Sequence, residues 1–182
     1  MIDSANEGVS TDRLVLVGLR GSGKSTIGRL LARRLELPCF DSDLAIAALG
    51  SCPATIIEEQ GLAAFRAIEL EIVLELSQAD RGVLALGGGA IEAPEARSAL
   101  SRWLGIHLDA PDGELARRIA SDTERRPPLT DQPLLEEIAL LRAGRSSLYS
   151  SISPVMISTG DRDPDEIVAA IVESLEEGYA SP

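Results

Sequence analysis

Gly18-Leu19-Arg20-Gly21-Ser22-Gly23-Lys24-Ser25-Thr26 is the part of the chain from which the rest of the architecture follows. An apolar run, Leu14-Val15-Leu16-Val17, leads into this stretch, and the helical pattern of residues 27–35 leads out of it. A strand, a loop of the form G-x-x-x-x-G-K-[ST] and a helix, in that order, are typical of the phosphate-binding P-loop. The sequence therefore predicts a site for nucleotide phosphates here.

The residue types in this loop are those that phosphate binding requires. Glycines allow consecutive backbone N–H groups to point at phosphate oxygens, and the N-terminus of the following helix adds partial positive charge. We expect Lys24 to reach the β- and γ-phosphates and to act in catalysis, and the Ser25 hydroxyl to bind Mg²⁺. The predicted ATP-binding residues of the loop are Gly21, Ser22, Gly23, Lys24, Ser25 and Thr26.

Length and composition exclude several classes of protein. The chain has 182 residues, 45% of them hydrophobic, which predicts one domain over residues 1–182 with its own core. No apolar stretch approaches the roughly 20 residues that cross a bilayer, so we expect no membrane partner. Residues 1–12 are polar and predict a flexible leader rather than a signal peptide. The net charge of −12 argues against a nucleic-acid partner.

The two cysteines, Cys39 and Cys52, lack metal-ligand spacing. Together with a P-loop they indicate a reducing, cytoplasmic setting.

Strand and helix patterns alternate along the chain. Strands are predicted at 14–17, 37–40, 82–86, 103–108 and 155–158, and helices at 27–35, 44–49, 54–60, 62–77, 94–101, 112–120, 133–149 and 164–177. This alternation predicts an α/β fold with three layers, α/β/α, around a central five-stranded parallel sheet. The polar, proline-rich segment 121–133 lacks apolar periodicity and is interpreted as a mobile lid.

Ligands of such folds bind beyond the carboxyl ends of the strands. The P-loop, Asp41-Ser42-Asp43 and Gly87-Gly88-Gly89 all follow predicted strands, so we expect them to meet at one crevice. Asp41 and Asp43 alternate across an extended segment, which would turn one carboxylate toward Mg²⁺ and the other toward a second substrate. The alternative is that Asp43 is only the N-cap of the next helix.

Several arginines are further candidates. Arg66 and Glu69 lie one helical turn apart on one face, and a solvated ion pair is the alternative to a functional role. Arg126 lies in the predicted lid, where closure would bring its charge over the γ-phosphate. Arg145 could face the same crevice or be a surface charge. His107 lies mid-strand among apolar neighbours and is interpreted as structural.

Taken together, these stretches resemble the shikimate kinase family over residues 13 to 175. The matching motifs are residues 18–26, Phe40-Asp41-Ser42-Asp43, Phe65-Arg66-Ala67-Ile68-Glu69, Ala85-Leu86-Gly87-Gly88-Gly89, Arg126-Pro127 and Arg145-Ser146-Ser147-Leu148-Tyr149. The resemblance implies a P-loop kinase of nucleoside-monophosphate-kinase-like fold. It also implies Mg²⁺-dependent transfer of the ATP γ-phosphate to the 3-hydroxyl of shikimate, in aromatic amino acid biosynthesis.

The resemblance also implies residue roles. Arg66 and Arg145 would pair the shikimate carboxylate, and Asp43 would act on the reacting hydroxyl. The predicted substrate-binding set is Asp43, Arg66, Gly87, Gly88, Gly89 and Arg145. Asp41 would hold Mg²⁺ through water beside Ser25.

On the nucleotide side, Arg126 would be the catalytic arginine of the lid and would also bind ATP. Arg118 would lie against the adenine, with Pro164 in the adenine loop. The doubled arginines Arg125-Arg126 and Arg117-Arg118 leave both assignments open by one position.

Three other functions compete with this interpretation. A kinase resembling gluconate kinase would use the same P-loop with other acceptor groups, and a nucleoside monophosphate kinase would need a pocket for a base. A non-catalytic regulator that binds ATP or shikimate has no need for Lys24, Ser25, Asp41 and Asp43 together. We therefore expect a monomeric cytoplasmic enzyme whose partners are ATP and shikimate.

Overall fold

The apolar run before the P-loop forms the central strand of a parallel sheet. The computed structural model describes residues 10–50, 52–122 and 128–178. The five strands lie in the order β2-β3-β1-β4-β5, and every neighbouring pair is parallel. Their bounds are β1 Ser10–Val17, β2 Cys39–Asp41, β3 Gly82–Ala85, β4 Trp103–Asp109 and β5 Val155–Ser158.

Eight α-helices among the described residues flank this sheet. They are α1 Lys24–Leu35, α2 Ser42–Ala48, α3 Pro53–Gln60, α4 Leu62–Leu76, α5 Pro94–Ala99, α6 Asp112–Ser121, α7 Leu134–Ile152 and α8 Pro164–Glu176. Two 3₁₀ turns, Ala90–Glu92 and Leu100–Arg102, precede and follow α5. Within the described part of the chain, no helix is both long and apolar enough to cross a membrane.

The side chains of β1 divide the core into two layers, because successive residues of a strand point to opposite faces. Leu14 and Leu16 pack with residues of α1 and α8 on one face. Val15 and Val17 pack with residues of α5, α6 and α7 on the other. All four are buried, as expected for a parallel strand that is covered on both sides. The predicted three-layer α/β/α fold with its five-stranded parallel sheet is confirmed.

The first strand begins earlier than its apolar run. Residues 10–12, which the sequence assigned to the polar leader, belong to β1, and Ser10 is in register with Trp103 of β4. The register is irregular between Ser10 and Leu14. Main-chain pairing of polar residues leaves no apolar pattern in the sequence, which is why the strand was predicted only from residue 14.

The Asp41-Ser42-Asp43 segment differs from its prediction. It is not extended throughout, because β2 ends at Asp41 and α2 begins at Ser42. The Oδ1 atom of Asp41 accepts hydrogen bonds from the backbone N–H groups of Asp43, at 3.0 Å, and Leu44, at 3.2 Å. Asp41 is therefore the N-cap, and Asp43 lies in the first turn of the helix.

Candidate active site

The P-loop wraps tightly between β1 and α1. Gly23 is the N-cap of α1 and has a φ of +94°. Residues other than glycine rarely adopt this left-handed conformation. The Nζ atom of Lys24 donates to the carbonyl oxygens of Gly18, at 2.9 Å, and Leu19, at 2.8 Å. The lysine ammonium is thus held directly over the loop backbone, where phosphate oxygens would bind.

A cavity lies above this loop, and we call it the P-loop cavity. Its lining includes Gly21, Gly23, Lys24, Ser25, Thr26, Asp41, Asp43 and Arg118. Ser22 was also predicted to bind ATP, but its side chain is fully buried, and its Oγ faces the Lys24 Nζ at 3.4 Å. The Ser22 hydroxyl therefore faces the lysine, and the backbone N–H is the group by which Ser22 could bind a phosphate.

Arg118 joins the P-loop to the loop after β5. Its Nη2 atom donates to the carbonyl oxygens of Thr159, at 2.6 Å, and Gly160, at 2.7 Å, and its Nη1 donates to Gly21. Arg117 instead projects into solvent with 69% of its side chain exposed. Of the two arginines that the sequence left open, only Arg118 lines the P-loop cavity.

Pro164 begins α8 and is not among the described residues that line this cavity.

A second cavity, which we call the two-arginine cavity, lies beside the first. Arg66 of α4, Arg145 of α7 and the glycines Gly87, Gly88 and Gly89 after β3 line it together. These residues come from three distant parts of the sequence, and the fold brings them together as predicted. Arg145 has only 5% of its side chain exposed, so it is not the surface charge that the alternative interpretation required.

The Arg66–Glu69 pair is also not a surface ion pair. Glu69 is 2% exposed and accepts a hydrogen bond from Nη1 of Arg66. Burial raises the pKa of the Glu69 carboxyl, while the Arg66 guanidinium lowers that pKa and so opposes the effect. A buried carboxylate therefore fixes the orientation of Arg66 at the cavity wall.

The glycines of the second cavity permit close contact with this arginine. A Cβ atom at Gly89 would overlap the guanidinium group of Arg66. Any larger residue at position 89 would have to displace Arg66, which gives a steric reason for the presence of glycine there.

The two cavities meet at shared residues. Asp43, Gly88 and Arg20 line both of them. A group bound on the P-loop side and a group bound between the arginines would therefore approach each other next to the Asp43 carboxylate. Arg20 was missed by the sequence reasoning because it occupies a variable position of the P-loop motif, which carries no signal of its own.

The Asp41 carboxylate has one oxygen engaged and one available. Oδ1 caps α2, whereas Oδ2 is buried and has no hydrogen-bond partner among the described residues. A buried carboxylate oxygen without a partner is costly unless a cation or water satisfies it. No group of three or more His, Cys, Asp or Glu side chains in the described ranges is arranged to hold a metal by itself. A cation here would thus depend on phosphate and water ligands, which suits Mg²⁺.

The predicted lid is described only in part. Arg125 and Arg126 lie outside the described residues, so the lid arginine stays a prediction. At the C-terminal end of the segment, Glu137 of α7 accepts hydrogen bonds from the backbone N–H groups of Leu129 and Thr130, both at 2.8 Å. Sequence reasoning missed Glu137, because a glutamate in the first turn of a helix is unremarkable in sequence.

The fold and the two cavities define a phosphotransferase with a P-loop: one cavity is suited to nucleotide phosphates, and the other offers guanidinium groups to an anionic acceptor. A family model described as shikimate kinase matches residues 20–176. The chain is also 38% identical to the shikimate kinase of Enterococcus faecalis over 168 residues, which cover 91% of this chain and 99% of that protein. The chain belongs to the shikimate kinase family, as its motifs predicted.

Solved structures agree with this assignment. A shikimate kinase from Acinetobacter baumannii in complex with shikimate superposes with a TM-score of 0.86 at 29% identity, covering 94% of this chain and 97% of that chain. A shikimate kinase from Aquifex aeolicus reaches 0.78 at 33% identity, covering 93% of this chain and 99% of that chain. The structural similarity extends over more than nine tenths of this chain in both comparisons.

Proposed function

We propose that this chain transfers the γ-phosphate of ATP to the 3-hydroxyl of shikimate, which gives ADP and shikimate 3-phosphate for aromatic amino acid biosynthesis. The observation that carries the proposal is that Asp43 lines both the P-loop cavity and the two-arginine cavity. A group at that position can act on an acceptor hydroxyl while the phosphate donor lies on its other side.

On the donor side, the P-loop binds the ATP phosphates. Backbone N–H groups of residues 21–26 and the N-terminus of α1 face the phosphates, and Lys24 neutralises charge that builds up on the transferred group. Arg118 contacts the nucleotide beyond the phosphates, near the Thr159–Gly160 loop that it already holds. Pro164, at the start of α8 and just after the loop that follows β5, and Arg126 in the lid complete the proposed set.

Mg²⁺ is the proposed cofactor, and Ser25 and Asp41 are the residues that would hold it. Both line the P-loop cavity, and the buried Oδ2 of Asp41 lacks a hydrogen-bond partner among the described residues. A Mg²⁺ ion held there would supply positive charge that offsets the negative charge of the ATP phosphates during transfer.

On the acceptor side, two guanidinium groups recognise the shikimate carboxylate. Arg66 and Arg145 converge on one cavity, and arginine pairs planar carboxylates through parallel N–H···O bonds. The backbone of Gly87, Gly88 and Gly89 forms the wall on which the ring of the acceptor rests. This arrangement orients the acceptor hydroxyl toward the P-loop.

Asp43 then orients the hydroxyl and accepts its proton. The hydroxyl oxygen forms a bond to the γ-phosphorus, the bond between that phosphorus and the β,γ-bridging oxygen breaks, and ADP leaves. Positioning and charge neutralisation supply most of the rate enhancement in this chemistry.

We further propose that the enzyme acts as a monomer in the cytoplasm. The described cysteines, Cys39 and Cys52, are free thiols, which agrees with a reducing compartment.

The test is an assay of ADP release with ATP and Mg²⁺ that compares shikimate, gluconate and AMP as acceptors. Turnover on shikimate alone supports the proposal, and Lys24→Ala provides the inactive control. Turnover on gluconate or AMP would mean that Arg66 and Arg145 do not have the roles in binding shikimate that are assigned to them here. ATP binding without turnover on any acceptor would instead indicate a regulator.

A further inference from the structure

Glu92 lies behind the two arginines of the acceptor site and contacts both. Its Oε1 atom accepts a hydrogen bond from Nε of Arg145 at 2.7 Å, and its Oε2 lies 3.7 Å from Nε of Arg66. Each carboxylate oxygen thus faces one guanidinium group. Two like charges that must approach one substrate carboxylate repel each other, and a bridging anion offsets that repulsion.

The position of Glu92 is fixed by its backbone. Glu92 ends the 3₁₀ turn that follows the three glycines, and its N–H donates to the carbonyl oxygen of Gly89 at 2.9 Å. Nη1 of Arg97 donates to the carbonyl oxygens of Ile91, at 2.6 Å, and Glu92, at 3.0 Å. The side chain therefore extends from an anchored point toward the arginines.

Glu92 also approaches the arginines from outside the cavity. Among the described residues, Arg66 and Arg145 line the two-arginine cavity, whereas Glu92 does not. Both of its contacts are made at Nε atoms. A substrate carboxylate can therefore meet the guanidinium groups from the cavity side without displacing Glu92.

We infer that Glu92 is a positioning residue that aligns Arg66 and Arg145 for a carboxylate-bearing acceptor. This inference rests on the proposed function and adds a specificity-determining residue to it. Glu92 holds the spacing of the two guanidinium groups, so its removal weakens acceptor binding without touching the nucleotide or the reacting atoms.

The matched variants are Glu92→Ala, Glu92→Gln and Glu95→Ala. Glu95 is an exposed glutamate in the first turn of α5, so its removal deletes the same charge near the same surface. We expect Glu92→Ala to raise the KM for shikimate about 10-fold or more, because even a small displacement of the groups that bind a substrate weakens its binding strongly. We expect kcat and the KM for ATP to change by less than about twofold, since neither nucleotide nor reacting groups move.

Glu92→Gln keeps an oxygen that accepts the Arg145 Nε–H, but it loses the negative charge and the second oxygen that faces Arg66, so its KM should lie between those of the wild type and Glu92→Ala. Glu95→Ala should match the wild type throughout. A role confined to stability would lower the melting temperature of Glu92→Ala and leave its KM for shikimate unchanged, and that result overturns the inference. A lowered KM overturns it as well, because it would mean that Glu92 competes with the substrate carboxylate.

Isothermal titration calorimetry with shikimate compares the Kd values of the same variants without turnover. If the wild type binds and phosphorylates shikimate but Glu92→Ala binds it equally well, only the positioning role fails. If the wild type neither binds nor phosphorylates shikimate, the proposed function fails, and the role of Glu92 fails with it.

Discussion

The phenolic hydroxyl of Tyr149 donates a hydrogen bond to the carbonyl oxygen of Gly88 at 2.6 Å. Tyr149 is buried on α7, and its ring stacks on His107 with 4.8 Å between ring centroids. Burial raises the pKa of Tyr149 to about 12, so the hydroxyl keeps its proton over the whole physiological range. One rigid side chain therefore fixes the glycine that lines both cavities.

Tyr149→Phe should loosen the glycine loop. The substitution leaves the Gly88 carbonyl without this donor, so we expect a loss of about 1–3 kcal/mol in the free energy of unfolding. We also expect a higher KM for shikimate, because Gly88 forms part of the wall of the two-arginine cavity. Urea denaturation and steady-state kinetics measure the two effects, and Ser150→Ala, at the exposed next residue, is the control. Unchanged stability and KM would mean that the hydrogen bond does not hold the loop.

Asp43→Asn should separate chemistry from nucleotide binding. The amide cannot accept the proton of the acceptor hydroxyl, so kcat should fall by about 10²–10⁴-fold. ATP affinity should stay close to that of the wild type, because the P-loop and Lys24 are untouched. Turnover and nucleotide titration measure the two quantities. A kcat within tenfold of the wild-type value would exclude Asp43 as the base.

The parallel sheet, and the convergence of the loops that follow its strands, were predictable because buried strands leave strong local patterns in the sequence. The buried runs of β1 and β3 are continuous and apolar, and that of β4 is interrupted by His107. The ends of these strands place the following loops at one edge of the sheet. Arg66 and Arg145, by contrast, were ambiguous in sequence. Whether an arginine faces a cavity or solvent depends on the packing of α4 and α7, and the resemblance to a known family supplied what local pattern did not.

Other features left no local signal. Asp41 and Asp43 both precede an apolar helical segment, and only the backbone shows that Asp41 is the cap. The contacts of Glu92 with Arg145 and of Glu137 with Thr130 join residues whose partners are set by tertiary structure. Periodicity and motif spacing describe one segment at a time, so they do not reveal such pairs.

Gly89→Ala should disturb the acceptor site selectively. A methyl group there overlaps the Arg66 guanidinium, so the arginine must move and the KM for shikimate should rise by about 10-fold or more. Gly144→Ala is the matched control, because Gly144 lies within α7 beside Arg145 and has open space around its Cβ position. That control should leave the KM unchanged and stabilise the protein by about 0.5–1 kcal/mol, since alanine favours helix. Equal kinetics for the two variants would show that Arg66 tolerates displacement.

His107 should make the stability of the fold depend on pH below neutrality. The side chain is buried in β4, and burial lowers its pKa below the value of 6.5 that applies to the unfolded chain. Between these two values the unfolded state binds a proton that the folded state does not. The contribution to stability is therefore complete above pH 6.5 and is lost as the pH falls toward the folded-state pKa, with a slope of up to about 1.4 kcal/mol per pH unit.

Urea denaturation of the wild type and His107→Gln at pH 7.5, 6.5 and 5.5 tests this dependence. We expect the free energy of unfolding of the wild type to decrease over this range more steeply than that of the variant, which lacks the titrating imidazole. Carboxyl groups such as Glu69 titrate in both proteins, so their effects cancel in the difference. Parallel pH profiles for the two proteins would mean that His107 takes up a proton as readily in the folded state as in the unfolded state, despite its stacking against Tyr149.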